Sequence, residues 1–307
     1  MNRRDFLKLA TTTAAATLAL PACRLAYEEV PTPSLQTSPI PTTVPTLKLE
    51  QSNVVIPNAE MWNMVSQVSG QEYRILAGRR GSQNDAPLPV IYITDGNGNF
   101  PLLYVMHQQL VDDGYLPPAL LVGVDFPFDE WSAYEALRAR DFTPTILHGN
   151  SPYANYFSAG TGGAPAFLQF LAEELKPAIN SKYNTVTDDA MLIGHSLGGL
   201  FTLYALFTRP DLFQRYVIGS PAIWYDNNAI LNNMETFVSA NTDLPARVFI
   251  GSGGNEDGLD VVVQSLADTL TGYQYPNLNL STRVFEGETH LSMIPFFLSF
   301  GLRAVHG

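Results

Sequence analysis

Gly194-His195-Ser196-Leu197-Gly198-Gly199 lies between an apolar run, Ala190-Met191-Leu192-Ile193, and a longer one, Leu200-Phe201-Thr202-Leu203-Tyr204-Ala205-Leu206-Phe207. The first run reads as the end of a buried strand and the second as a packed helix. A serine held between strand and helix, with glycine two positions before and two after, has the pattern of a nucleophile elbow. The turn is too tight for side chains at Gly194 and Gly198. It pushes the Ser196 hydroxyl into the open and aims helix N–H groups at the place where an oxyanion would form.

Outward from this elbow the chain alternates between strand and helix patterns. Upstream, Met61–Val68 and Glu72–Ala77 read as two strands joined by Ser69-Gly70-Gln71. Leu88–Ile93 is a continuous apolar run, as expected for a strand buried on both faces. It stops at the turn-rich cluster Asp95-Gly96-Asn97-Gly98-Asn99, and a helix is expected over Leu102–Asp113. Ala119–Val124 is another buried strand. The stretch 125–163 has no clean periodicity and reads as an irregular excursion over the carboxyl edge of the sheet. Helices are expected over Ala164–Lys182, Ile230–Ala240, Leu259–Gly272 and Leu291–Val305. Strands are expected over Tyr216–Gly219, Ala246–Gly251 and Leu278–Phe285. This alternation predicts one α/β domain around a doubly wound, largely parallel sheet.

The chain has 307 residues, 46% of them hydrophobic, which suits one large domain over residues 47–307. A net charge of −12 with no basic cluster argues against nucleic acid as a partner. Residues 1–22 have the pattern of a twin-arginine export signal: Arg3-Arg4, then Phe6-Leu7-Lys8, then a mild apolar stretch too short to span a membrane. Leu20-Pro21-Ala22-Cys23 resembles a lipobox, with Pro21 an unusual residue in it. Cys23, the sole cysteine, is the candidate site of lipid attachment, and the alternative is simple cleavage nearby. A single cysteine forms no intramolecular disulfide and no multi-thiolate metal site. Removing residues 1–22 removes Arg3, Arg4, Lys8 and Asp5 and takes the charge from −12 to −14, so any membrane contact must come from acyl chains. Within residues 23–46, five prolines among serines and threonines read as an extended tether.

A serine nucleophile needs a base and an acid. His290 falls on the loop after the last strand, at the edge where the elbow opens. His195 should point away from Ser196, and His148 lies in the excursion. Hydrolases built around this elbow run serine, acid, histidine in chain order. The strand Val248-Phe249-Ile250 ends in Gly251-Ser252-Gly253-Gly254-Asn255-Glu256-Asp257-Gly258, which offers Glu256 as the acid and Asp257 as the alternative. Its role is to fix the imidazole tautomer. Oxyanion donors are expected from the backbone of Leu197 and of Asn97, each worth about 2–4 kcal/mol of transition-state stabilisation.

Taken together, these stretches resemble the putative-esterase family of α/β-hydrolases, and within it the esterase D-like and siderophore-esterase-like group. The resemblance rests on the elbow with Tyr204-Ala205-Leu206 and Arg209-Pro210-Asp211-Leu212-Phe213. It extends to Gly219-Ser220-Pro221-Ala222-Ile223-Trp224-Tyr225-Asp226-Asn227, Arg140-Asp141-Phe142-Thr143-Pro144, Tyr92-Ile93-Thr94-Asp95-Gly96 and His290-Leu291-Ser292-Met293-Ile294-Pro295. It covers about residues 50–305. It implies an α/β-hydrolase fold, a Ser196–His290 centre, no metal and no organic cofactor. It also implies that Trp224 and the excursion line a substrate cleft, with Asp95 and Gly96 among the substrate-binding residues; a core aromatic is the other reading of Trp224. Arg138 and Arg140 are expected to pair with local carboxylates rather than with substrate. The activity implied is hydrolysis of a small-molecule carboxylic ester through an acyl-enzyme. The alternatives are an acyltransferase, an esterase for catecholate trilactone siderophores, and an inactive ligand-binding lipoprotein.

Overall fold

The structure, a computed structural model, describes residues 55–79, 86–128, 130–147 and 157–306. All of them fall within one compact unit, Val54–Gly307. The expectations for the export signal, the lipobox Cys23, the tether and His148 lie outside the described residues.

Eight strands form one sheet in the order β1-β2-β4-β3-β5-β6-β7-β8. β1 (Ala59–Val65) and β2 (Glu72–Gly78) pair antiparallel, and β2 runs antiparallel to β4 (Leu120–Asp125). From β4 onward, through β3 (Leu88–Thr94), β5 (Thr185–His195), β6 (Arg215–Gly219), β7 (Arg247–Gly253) and β8 (Asn279–Phe285), every pairing is parallel. The carboxyl ends of all six strands therefore open on one edge.

Both faces of the sheet are buried, and successive side chains alternate between them. Tyr92, Leu192, Tyr216, Ile218, Val248 and Ile250 join one core. Their neighbours Ile91, Ile93, Met191, Val217 and Phe249 join the other. The second core is closed by helix α1 (Gly96–Asp112) and the last helix, α8 (Ile294–His306). The first is closed by α2 (Trp131–Phe142), α3 (Ala164–Phe170), α4 (Lys176–Lys182), α5 (Leu197–Thr208), α6 (Ile230–Ala240) and α7 (Leu259–Gly272).

Three segments depart from the sequence reading. The cluster at 95–99 is the first turn of α1, which begins at Gly96 after Asp95 adopts a left-handed conformation (φ 58°). The excursion contains α2. The single helix expected over Ala164–Lys182 is interrupted by a π-turn, Leu171–Leu175, in which the Lys176 N–H reaches back to Leu171 O. Pro177 follows immediately and has no N–H to give Glu173, so regular i→i−4 bonding must lapse there.

Candidate active site

The elbow is built from a strained serine between glycines. Ser196 has φ 60° and ψ −121°, a conformation that L-residues adopt only where the surroundings fix it. Its N–H donates to Gly219 O (2.9 Å), and its own carbonyl accepts from Leu200 N–H (2.9 Å) and Ala222 N–H (3.1 Å). A Cβ at Gly194 would collide with the Gly198 carbonyl and the Thr202 hydroxyl. One at Gly198 would collide with Thr94 Oγ1 at the end of β3. The two glycines thus let the elbow close on itself and let α5 start against the end of β3. Leu197 N–H belongs to the first turn of α5, where no carbonyl one turn earlier is placed to accept it.

His290 follows β8, and its Nδ1 lies 2.6 Å from Glu256 Oε2. The other carboxylate oxygen of Glu256 accepts from Ser220 Oγ at 2.6 Å and from Gly253 N–H at 2.5 Å. The Glu256 side chain is 4% exposed and that of His290 is 42% exposed. Burial pushes the Glu256 carboxyl up, but hydrogen bonds from His290, Ser220 and Gly253 outweigh this and hold it below its ordinary value. An ionised carboxylate only accepts, so the proton sits on Nδ1 and leaves Nε2 of His290 as a base. The contacts form a continuous path across the ends of four strands, β5 to β8. Ser196 bonds Gly219, Ser220 bonds Glu256, and Glu256 bonds His290. The structure brings Glu256, not the alternative Asp257, to the imidazole. Asp257 takes a left-handed turn (φ 46°) and is exposed at the rim.

His195 points to the α8 side of the sheet, as expected of the residue before Ser196. Its buried ring nevertheless lies 4.5 Å, centroid to centroid, from that of His290, and rests on Phe297. Burial, the adjacent His290 and Arg138 push its pKa down to about 3, so it packs there as a neutral ring.

Two expected substrate contacts are corrected. The Asp95 carboxylate is buried and already engaged: Arg138 Nε and Tyr134 OH donate to Oδ1, both at 2.6 Å, and an Arg138 Nη donates to Oδ2 at 3.1 Å. Its work is to anchor α2 to the end of β3. Gly96, expected to bind substrate, is buried against β2 and β4, where a Cβ would meet Leu76, Gly123 and Asp125 at 3.0–3.2 Å, and it serves close packing instead. Asn97, the next residue, is in the first turn of α1. The carboxyl of Asp125 nearby is pushed up to about 6, mainly by burial, with opposing help from the amides of Phe126 and Asn97 and from Arg74. Arg138 and Arg140 pair locally, the latter bidentate on Asp141 (2.6 and 2.7 Å).

Beside the imidazole opens a cleft of about 600 Å³, lined by Trp224, Asn228, Asn255, Asp257 and Thr289 together with Glu256 and His290. Trp224 is 49% exposed and forms part of this wall, not core. The hydrogen bond from Ser220 to Glu256 has no pattern in the sequence. Nothing but the place of Ser220 after the strand next to the elbow strand signals it.

The model of the family described as "Putative esterase" matches residues 79–271. The ferri-bacillibactin esterase BesA of Bacillus subtilis is 30% identical over 267 residues, covering 82% of this chain and 91% of that protein. The chain belongs to the putative-esterase family. Among solved structures, the BES protein from Bacillus cereus superposes with a TM-score of 0.76 at 32% identity, over 84% of this chain and 100% of that one. An IroE-like serine hydrolase from Shewanella oneidensis gives 0.70 at 26% identity, over 80% and 79%. These neighbours share the mostly parallel α/β-hydrolase sheet described above.

Proposed function

We propose that the protein is a serine esterase that hydrolyses a small-molecule carboxylic ester through an acyl-enzyme, with Ser196 as nucleophile, His290 as general base and Glu256 as its orienting acid. Ser196 Oγ attacks the ester carbonyl as His290 Nε2 takes its proton. The tetrahedral oxyanion is held by the N–H of Leu197, while the Asn97 amide expected beside it is directed at the Asp125 carboxylate. The alcohol leaves with the proton from His290, and water repeats the sequence to release the acid. The observation that carries this reading is the 2.6 Å contact between His290 Nδ1 and a buried, doubly hydrogen-bonded Glu256, on the edge where Ser196 stands in a strained turn.

The similarity to a ferri-bacillibactin esterase supports a narrower reading, hydrolysis of a siderophore lactone. The N-terminal sequence supports export by a twin-arginine-type signal and tethering through a lipid on Cys23. A hydrolysis screen tests the reading, using aryl esters of short and long acids, a feruloyl ester and a catecholate trilactone, with Ser196→Ala as the blank. Turnover of at least one ester by the wild type and none by the variant is expected. Equal rates for the two proteins would overturn it.

A further inference from the structure

We propose, on the basis of the esterase reading above, that the cleft beside His290 selects esters whose bound group is uncharged or cationic and discriminates against anionic ones. Among the described residues, four cations stand toward the carboxyl edge of the sheet, and three of them are held by a carboxylate. Arg74 lies 3.6 Å from Asp125, Arg138 clamps Asp95 and Glu135, and Arg140 clamps Asp141. Arg215 and Arg247 begin β6 and β7 and so sit at the opposite edge. The fourth, Arg283, lies flat on Phe300 of α8, across the sheet from α7 and the cleft.

The acidic side is different. Asp257 lines the cleft beside Trp224 and is exposed. Asp226, two residues after Trp224, accepts from the Thr145 hydroxyl at 2.6 Å. Glu288, two residues before His290, accepts from the Ser292 hydroxyl at 2.5 Å. A hydroxyl partner leaves the carboxylate's full charge in place. An anionic substrate entering here meets the exposed carboxylate of Asp257 and, among the described residues, no lining cation to offset it, whereas a cation meets that charge. A ferric catecholate, which is an anion, is the form of a siderophore this rim disfavours.

Two matched series of p-nitrophenyl and alkyl esters test this, differing only in a terminal methyl, trimethylammonium or carboxylate group placed on the acyl or the alcohol side. At about 10 mM ionic strength, kcat/KM for the carboxylate member should fall about tenfold below that of the trimethylammonium member in at least one series. The gap should close at about 0.5 M salt, and Asp257→Lys should shrink or invert it. Equal kcat/KM for the three members, or a ratio unmoved by Asp257→Lys, would overturn the proposal while the uncharged ester's turnover still upholds the esterase reading. Failure of every ester in both series would overturn both.

Discussion

Replacing Glu256 by glutamine keeps the shape of the acid and changes one atom, and the structure dictates which way the new side chain must face. Oε1 of Glu256 receives two donors, Ser220 Oγ and Gly253 N–H. A glutamine must offer its carbonyl oxygen there, because turning its NH2 toward Gly253 would set donor against donor at 2.5 Å. The NH2 then occupies the Oε2 position, 2.6 Å from His290 Nδ1. Nδ1 becomes an acceptor, and the ring proton moves to Nε2, the nitrogen needed as a base. The imidazole stays in place in the wrong tautomer. Loss of the correct tautomer in a serine hydrolase is worth about 10⁴-fold in kcat, roughly 5.5 kcal/mol of barrier. Steady-state kinetics on an aryl ester, with circular dichroism to establish folding, should show a loss of that order for Glu256→Gln and less than about threefold for Asp257→Asn on an uncharged ester. Retention of a tenth or more of the activity in Glu256→Gln, or collapse in Asp257→Asn, would refute the assignment of the acid.

Three further outcomes follow from the same contacts. Ser220→Ala removes a hydrogen bond to a buried carboxylate and should cost about 1.5–3 kcal/mol of stability. Because Glu256 is held below its ordinary value, its contribution is present above that value and fades as pH falls through the folded-state pKa. The variant raises that pKa toward the ordinary value, so in melting curves between pH 3 and 7 the stability gap between wild type and variant should be widest near neutral pH and narrow as pH falls. Gly194→Ala places a methyl group against the Gly198 carbonyl and should destabilise by about 4 kcal/mol or more, seen as loss of soluble protein or of the thermal transition. Arg138→Ala leaves Asp95 buried with Tyr134 as its remaining side-chain donor and should cost about 3–5 kcal/mol in urea unfolding, far more than an exposed arginine such as Arg209.

The sequence makes the sheet largely legible because its strands are apolar on both faces and end in turn residues. The parallel edge then follows from the alternation with helices. The elbow is legible for a steric reason, since glycine at 194 and 198 is demanded by contacts that no other residue satisfies. His290 and Glu256 are legible because each sits just past a strand end. Helix α2 is not, because its inward face carries Tyr134, Arg138 and Asp141, polar residues buried by partners far away in the chain. Asp95 misleads for the same reason, its partner Arg138 being 43 residues on. The start of α1 reads as a turn because glycine and asparagine dominate it, and only the packing of Gly96 against β4 explains why a helix begins there. Ser220 escapes notice because a lone serine after a strand has no pattern until the strand order sets it opposite Glu256.

The central claim is that the Ser196 hydroxyl is activated by the late imidazole. Incubation with a fluorophosphonate, followed by proteolysis and mass spectrometry, tests it most directly. The account predicts a single adduct on Ser196, lost in Ser196→Ala and slowed by orders of magnitude in His290→Ala. Labelling at another residue, or equally fast labelling of Ser196 without His290, would contradict it.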